Sequence, residues 1–168
     1  MTRYRFEPAS LGLALLIVVS VVSFDLVTKM IIVDFVMQPP RPIPVTGFLN
    51  LTLGFNSGIS FGLFLDFFAR FPAVLIAGSV GIALFLLLWA AATKSHFEAA
   101  ALGLISGGAI GNIWDRLQRG AVVDFIDLYV GEWHWPAFNL ADTAIVLGAA
   151  GLVIASFRKT SNQGSGIG

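Results

Sequence analysis

Aspartate and asparagine side chains occur where long apolar segments begin and end, and their types suggest acid–base chemistry. Asp124 and Asp127 are three residues apart, and Asn139 and Asp142 have the same spacing. Two carboxylates held about 3 Å apart share one proton, because both cannot ionise easily. The ionised member can activate a water molecule for attack on an amide carbonyl, while the protonated member donates to the carbonyl oxygen. A pair of these aspartates could therefore hydrolyse a peptide bond.

Each of these pairs also has a simpler structural interpretation. Asp124 and Asp127 could be solvated carboxylates in a loop. Asn139 could cap the helix that follows it, with Asp142 in the first turn, where the helix dipole favours a negative charge. The spacing leaves these alternatives open, and it does not choose between Asp124 and Asp127 as the partner of Asp142.

Two further polar groups lie inside apolar segments, where each charge costs at least about 2.5–3.5 kcal/mol on insertion scales. Asp25 and Lys29 are four residues apart on one helix face, as in an internal ion pair or in a support for a site. Asn112, Asp115 and Arg116 can also share one face at the end of a helix. Arg116 could instead extend towards lipid headgroups. The clustering of three polar side chains favours a cavity.

The composition of the chain is that of a membrane protein. Hydrophobic residues make up 57% of the 168 residues and charged residues 12%, whereas soluble domains carry about 25% charged residues. The net charge is zero, which gives no reason to expect a nucleic-acid partner. The chain has no cysteine and only two histidines, which excludes a thiolate nucleophile, a cysteine-bound metal and a multi-histidine site. We therefore expect neither a metal nor a cofactor.

Four segments are long and apolar enough to cross a membrane as helices. They are residues 11–36, 72–92, 99–116 and 140–157. Basic residues are denser near the termini and in the short second connection, so we expect both termini in the cytoplasm. The two long connections, residues 37–71 and 117–139, are then outer loops, and the polar groups lie at the outer ends of the spans. We expect a single membrane-embedded domain over residues 1–159 and a flexible tail over residues 160–168.

The outer loops contain two predicted strands. From Leu49 to Phe55, apolar residues alternate with smaller or polar ones, a period of two that is typical of a half-buried strand. Asn56 follows at a turn, and residues 59–68 are apolar and aromatic, as in a short helix lying in the membrane interface. Residues Val122–Val130 are also strand-like. Each outer loop therefore contributes one predicted strand.

Three glycines recur every four residues in the third span. They are Gly103, Gly107 and Gly111. Small residues at this spacing allow two helix backbones to approach closely. We interpret them as packing residues, which matter because close packing positions the polar end of the helix.

Five motifs occur in a fixed order along most of the chain. They are Asp25-x-x-x-Lys29, Asn56-x-Gly58-x-Ser60-Phe61, Gly107-Gly108-Ala109-x-Gly111-Asn112-x-x-Asp115-Arg116, Val122-Val123-Asp124-Phe125-x-Asp127 and Phe138-Asn139-x-Ala141-Asp142. With these motifs the chain resembles the prolipoprotein signal peptidases, also called signal peptidase II. No motif position departs from the family's pattern.

The resemblance implies a fold and an activity. The fold would be an all-α integral membrane protein with four transmembrane helices, a small extracytoplasmic β-sheet platform and a short interfacial helix. The activity would be that of an aspartyl endopeptidase that removes signal peptides from bacterial prolipoproteins, cleaving just before a cysteine that carries diacylglycerol. We expect a monomer in the bacterial inner membrane, with its site near the outer face and in contact with membrane lipid. The cyclic peptide antibiotic globomycin would inhibit it.

The resemblance also implies roles for individual residues. The catalytic pair would be Asp124 and Asp142, a choice that the spacing alone does not make. The polar residues lining the site would be Asn56, Asn112, Arg116 and Asn139. The residues in structural support would be Asp25, Lys29, Asp115 and Asp127.

Three other functions fit part of the sequence. A proton-coupled transporter or channel would stagger titratable groups through the membrane depth, whereas here they gather at one end of the spans. A lipid-binding or scaffold protein without chemistry would tolerate Asp124→Asn and Asp142→Asn. A serine peptidase would need a base, and because His96 lies in the connection predicted to face the cytoplasm, only Lys29 in a Ser–Lys arrangement remains.

Overall fold

Four long helices dominate the structure, a computed structural model that describes residues 6–58 and 70–164, with side chains as far as Arg158. The helices are α1 (Pro8–Ile31), which continues as a π-helical turn (Ile32–Val36), α2 (Pro72–Ala90), α3 (His96–Arg119) and α4 (Leu140–Gly164). The interfacial helix expected at residues 59–68 lies outside the described residues. The last helix continues through residues 160–164, part of the segment expected as a flexible tail.

Three helical segments in the described ranges are long and apolar enough to cross a membrane: Pro8–Val36, Pro72–Ala90 and Leu140–Arg158. They overlap three of the four predicted spans. The remaining helix, α3, has 24 residues but is less apolar. Its charged side chains lie near its two ends: Glu98, Asp115, Arg116 and Arg119. The chain is therefore a multi-pass membrane protein with at least these three candidate spans.

Local sequence signals set both ends of α3. The helix begins after Ser95, whose Oγ accepts a hydrogen bond of 3.2 Å from the backbone N–H of Glu98, as serine does at many helix starts. It ends at Gly120, which has a left-handed φ of 75° and donates its N–H to the carbonyl of Arg116. Glycine adopts this conformation without steric cost. The last turns of α3 therefore carry the predicted polar cluster.

The glycines of α3 let it pack closely against α1. A Cβ atom at Gly103 would lie 2.8 Å from the carbonyl oxygen of Ala14, and one at Gly107 would lie 2.9 Å from Cβ of Val21. Real side chains do not approach so closely. The predicted packing role of these glycines is therefore confirmed.

The same helix also approaches α4 and the buried end of α1. A Cβ atom at Gly108 would collide with the carbonyl oxygen of Ala141, and one at Gly111 would lie 2.7 Å from Oδ2 of Asp25. Since α3 also packs against α2, it is in contact with each of the other three helices. The position of α3 in the bundle is thus determined by contacts with three other helices.

A four-stranded antiparallel sheet completes the fold. Its strands are β1 (Ile43–Thr46), β2 (Leu49–Asn56), β3 (Val122–Val130) and β4 (Trp133–His134), in that spatial order. The two predicted strands, β2 and β3, are confirmed as the central pair. Their register places Asn50 opposite Asp127 and Gly54 opposite Asp124, with a bulge between Leu51 and Gly54. Both outer strands are short and had no clear periodic signal.

The sheet packs on the helices through a small apolar cluster. Ile32, Met37 and Phe125 are buried together, and Leu140 at the start of α4 packs against them. The cluster joins the end of α1 to β3 and to the beginning of α4. The sheet is therefore fixed at the end of the bundle where α4 begins.

Candidate active site

A cavity of about 370 Å³ lies between the sheet and α4. Its polar lining consists of Asn56, Asp124, Asp142 and Thr143, and its apolar lining consists of Leu128, Trp135, Pro136, Ala137, Phe138, Val146 and Leu147. The two aspartates reach it from different elements, Asp124 from β3 and Asp142 from the first turn of α4. In the described part of the chain, no group of three or more histidine, aspartate or glutamate side chains is arranged to hold a metal ion.

Asn139 determines how Asp142 enters the cavity. The side-chain oxygen of Asn139 accepts a 2.9 Å hydrogen bond from the backbone N–H of Asp142, and the carboxylate of Asp142 accepts one of 3.3 Å from the N–H of Asn139. This reciprocal pair is a capping arrangement. The other carboxylate oxygen accepts a 2.9 Å hydrogen bond from Nδ2 of Asn112. The capping interpretation of Asn139 is thus correct, and the cap orients a carboxylate that lines the cavity.

The same asparagine also holds Asp124. Its Nδ2 donates a 2.7 Å hydrogen bond to one oxygen of Asp124, and Nδ2 of Asn56 donates one of 3.2 Å to the other. Asn139 is completely buried and Asp124 is 5% exposed. Asp124 is therefore not a solvated loop carboxylate, and one buried amide side chain contacts both aspartates of the cavity.

The pKa values of the two aspartates of β3 are shifted in opposite directions. Burial raises the pKa of Asp124 and the charge of Asp142 raises it further, whereas hydrogen bonds from Asn56 and Asn139 lower it, and the resulting pKa is about 6. Burial also favours the neutral form of Asp127, but hydrogen bonds from Asn50 and His134 outweigh it and hold its pKa below the ordinary value. Of the two, Asp124 thus retains a proton closer to neutral pH.

Behind the carboxylates, Lys29 lies at the centre of a buried ion cluster. Its ammonium nitrogen is 2.7 Å from Oδ2 of Asp25 and 2.8 Å from Oδ2 of Asp115, and it donates a 3.2 Å hydrogen bond to Oδ1 of Asn112. The ion pair predicted from the spacing of Asp25 and Lys29 is confirmed. Because Asn112 in turn donates to Asp142, the cluster orients the amide that holds a cavity carboxylate.

Arg119 completes this cluster. It forms a 3.4 Å ion pair with Asp115, whose other oxygen accepts a hydrogen bond of 3.2 Å from the backbone N–H of Val123. With Asp25 and Lys29, the cluster then contains two positive and two negative charges. This balance reduces the cost of burying ions, and the contact with Val123 ties the cluster to the residue before Asp124.

Arg116 does not extend along the lipid-facing surface. Its guanidinium group donates a 2.8 Å hydrogen bond to the carbonyl of Gly58 and one of 3.3 Å to the carbonyl of Asn112. Its Nε is buried and has no hydrogen-bond partner among the described residues. Of the four residues expected to line the site, Asn56 lines the cavity, whereas Asn112 and Asn139 lie behind the carboxylates and Arg116 reaches the segment that follows Asn56.

Some residues of the cavity had no predicted role. Residues 135–138 form one wall, and Val146 and Leu147 form the other on α4. Apolar residues in a span or a loop give no sequence signal that they face a cavity. The partners of Asp127, which are Asn50 and His134, also had no predicted role.

Comparison with known proteins identifies the family. Residues 17–158 match the family described as Signal peptidase (SPase) II. The chain is similar to the lipoprotein signal peptidase of Paraburkholderia phymatum, with 42% identity over 95% of this chain and 97% of that protein. It is also similar to the lipoprotein signal peptidase of Photorhabdus laumondii subsp. laumondii, with 38% identity over 84% and 85% of the two chains.

Solved structures agree with this result. A bacterial membrane enzyme solved by the in meso method at 2.3 Å resolution has a TM-score of 0.75 and 34% identity, over 90% of this chain and 91% of that one. A second, solved at 1.9 Å, has a TM-score of 0.68 and 34% identity. Since the family match and the curated relatives cover most of the chain, this protein belongs to the signal peptidase II family.

Proposed function

We propose that this protein is an aspartyl endopeptidase that removes signal peptides from bacterial prolipoproteins by cleaving just before a diacylglyceryl-modified cysteine. Family membership and the lipoprotein signal peptidases among its relatives support the substrate class. The observation that carries the mechanism is that Asp124 and Asp142 line one cavity and are both held by Asn139. Asn56 lines the same cavity, and the other polar residues support the carboxylates from behind.

Hydrolysis would use the two aspartates as a pair that shares one proton. The ionised member takes a proton from water as the water attacks the scissile carbonyl, and the protonated member donates its proton to the carbonyl oxygen. When the tetrahedral intermediate collapses, a proton passes to the leaving amine. The raised pKa of Asp124 supports this assignment, because a carboxyl group with a pKa of about 6 retains a proton at mildly acidic pH. The pair titrates jointly.

The apolar walls of the cavity suit a lipid-anchored substrate. Val146 and Leu147 line the cavity from α4, and both side chains are more than half exposed on a helix that is apolar enough to span a membrane. The acyl chains of a diacylated cysteine remain in the bilayer, so its scissile bond lies at the membrane surface. A cavity open to lipid on one side could accept this bond while the acyl chains stay in place.

The proposal includes an arrangement in the inner membrane. All four long helices, α3 among them, cross the membrane, with both termini in the cytoplasm and the sheet on the outer side. The charges of α3 support this arrangement because they lie at its ends or, like Asp115, in buried ion pairs. Both aspartates come from one chain, which supports a monomer. Globomycin would bind in the cavity that contains Asp124 and Asp142.

Substitution of either aspartate tests the mechanism. We expect Asp124→Asn and Asp142→Asn each to reduce cleavage of a diacylated lipobox peptide by about 10³-fold, because each removes one member of the acid–base pair. Asparagine has nearly the same shape, so both variants should fold, and the thermal unfolding temperature should fall by only a few degrees because the new NH2 group meets one N–H donor. Asp34→Asn is the matched control, since Asp34 is exposed at the end of α1. Turnover near the wild-type rate in both cavity variants would rule out the aspartyl mechanism.

A further inference from the structure

The sheet carries a second polar cluster that the proposed mechanism does not use. Asp127 lies three residues after Asp124 in β3, and successive side chains of a strand point to opposite faces. Asp127 therefore projects from the face opposite Asp124. Its oxygens are 2.8 and 3.0 Å from Nδ1 of His134, and one of them accepts a 3.0 Å hydrogen bond from Nδ2 of Asn50.

The cluster connects all four strands. The ring of Tyr129 stacks on that of His134 with centroids 5.3 Å apart and an interplanar angle of 18°, and the hydroxyl of Tyr129 donates a 3.1 Å hydrogen bond to the carbonyl of Thr46. Thr46 belongs to β1, Asn50 to β2, Asp127 and Tyr129 to β3, and His134 to β4. A carboxylate can only accept hydrogen bonds, so Nδ1 of His134 carries the hydrogen that this contact requires.

His134 immediately precedes one wall of the cavity. The wall consists of residues 135–138. Its far end is held by backbone hydrogen bonds between Phe138 and Ile126, at 2.8 and 3.0 Å. Its near end has a 2.8 Å hydrogen bond from the N–H of Trp135 to the carbonyl of Leu128.

The strand that leads into this wall is short. β4 consists of two residues and pairs only through Tyr129 opposite His134 and Val130 opposite Trp133. Short strand pairs are marginally stable without further contacts. The hydrogen bond between Asp127 and His134 supplies such a contact at the residue before the wall begins.

We propose that the Asp127–His134 pair is a positioning device that holds the wall of residues 135–138 against the substrate, which makes His134 a determinant of substrate affinity. This inference rests on the proposed function. The carboxylates of Asp124 and Asp142 are held by Asn56, Asn112 and Asn139 instead. Loss of the His134 contact should therefore weaken substrate binding and leave the chemical step nearly intact.

Kinetics of three single variants test this inference. For His134→Ala, we expect KM for a diacylated lipobox peptide to rise about tenfold, as expected when a hydrogen bond to a charged group is lost, while kcat stays within about twofold. His134→Asn should restore most of the affinity, because its Nδ2 can replace Nδ1 as the donor. His96→Ala is the control, since His96 is the only other histidine and begins α3, at the end of that helix away from Asn112 and Arg116.

A double variant separates this contact from a general loss of stability. If the pair acts as one device, His134→Ala should add little to the KM of Asp127→Ala, because alanine leaves no acceptor for Nδ1 of His134. Additive effects in the double variant would overturn the inference, as would an unchanged KM in His134→Ala or an equal loss of affinity in His134→Asn.

Hydrogen–deuterium exchange provides a readout that does not depend on activity. His134→Ala should increase exchange in a peptide covering residues 131–138, which includes the bonded N–H of Trp135, and leave peptides from α3 unchanged. Unchanged exchange at residues 131–138 would overturn the inference. If the wild-type protein cleaves no lipobox peptide, the proposed function fails, whereas this exchange result still decides whether His134 holds the wall.

Discussion

Asp124 and Asp142 line one cavity but accept hydrogen bonds from different donors. Asp124 accepts side-chain amide groups on both oxygens, from Asn56 and Asn139. Asp142 accepts one side-chain amide, from Asn112, and the backbone N–H of Asn139. The two amide donors of Asp124 stabilise its ionised form and so oppose burial, which raises its pKa.

The contribution of Asn56 to the pKa of Asp124 can be measured directly. The raised pKa means that Asp124 loses its proton as the pH increases through about 6, so kcat/KM should fall above that pH. The donor of Asn56 stabilises the carboxylate and lowers this pKa. Asn56→Ala should therefore raise it and move the decline in kcat/KM about one pH unit higher, as measured in a pH–rate profile.

Asn50→Ala is the matched control for this measurement. Asn50 lies in the same strand, but its amide donates to Asp127 instead of Asp124. The midpoint of the decline should stay in place for this variant even if its overall activity falls. A shift of the midpoint to lower pH in Asn56→Ala would contradict the account of how Asp124 is tuned.

For individual residues, the sequence predicts contacts within a helix better than contacts between elements. The spacing of Asp25 and Lys29 was sufficient to predict their ion pair. It could not show that Asp115 would approach the same ammonium group, because that contact depends on how α1 and α3 pack. The pairing of Asp127 with His134 was missed for a related reason, since His134 lies in a hairpin whose register no periodic pattern reveals.

Among the elements, those with a long periodic pattern were predicted well. β2 and β3 contain eight and nine residues, and the predicted strands, residues 49–55 and 122–130, cover nearly all of both. β1 and β4 contain four and two, and β1 includes a proline, which strands seldom contain. The cavity itself could not be predicted, because its walls come from β3, the segment after β4 and α4, and a sequence pattern does not show which apolar faces remain apart.

Close packing between α3 and α4 predicts a marked effect of one methyl group. We expect Gly108→Ala to lower the free energy of unfolding by about 1–3 kcal/mol, because the new Cβ would collide with the backbone carbonyl of Ala141. Activity should fall as well, since Ala141 directly precedes Asp142. Thermal unfolding in detergent measures the loss of stability, and a cleavage assay measures the loss of activity.

Gly81→Ala is the control for the same chemical change. A Cβ atom at Gly81 in α2 would meet nothing within 4 Å, and alanine favours a helix over glycine by about 0.5–1 kcal/mol. This variant should therefore be as stable as the wild type or slightly more stable. Equal stability of the two variants would show that α3 and α4 are not packed as closely as described.

For the whole molecule, the proposed arrangement in the membrane can be tested by labelling. The chain contains no cysteine, so a single introduced cysteine reports on one position. Glu132 is exposed at the tip of the β3–β4 hairpin, and Lys94 is exposed in the connection before α3. In intact spheroplasts, a membrane-impermeant maleimide should label Glu132→Cys strongly and Lys94→Cys about tenfold less, because the bilayer excludes a charged reagent.

Lysis with detergent provides the control for accessibility. Both variants should be labelled equally once the membrane is dissolved. If Lys94→Cys is labelled in intact spheroplasts and Glu132→Cys is not, the sheet would lie in the cytoplasm and the proposed orientation would be wrong. Labelling of both positions would mean that α3 does not cross the membrane.

The contact between Asp25 and the start of α4 has a consequence for biosynthesis. Oδ1 of Asp25 accepts a 3.0 Å hydrogen bond from the N–H of Ala141, which joins α1 to the start of α4. Asp142 follows Ala141 directly, and Asn56 of the first long connection completes the polar lining of the cavity, so the cavity needs residues from both halves of the chain. Under the proposed mechanism, a chain translated only as far as α3 lacks Asp142 and cannot cleave its neighbours during insertion, and activity arises only when α4 docks against α1.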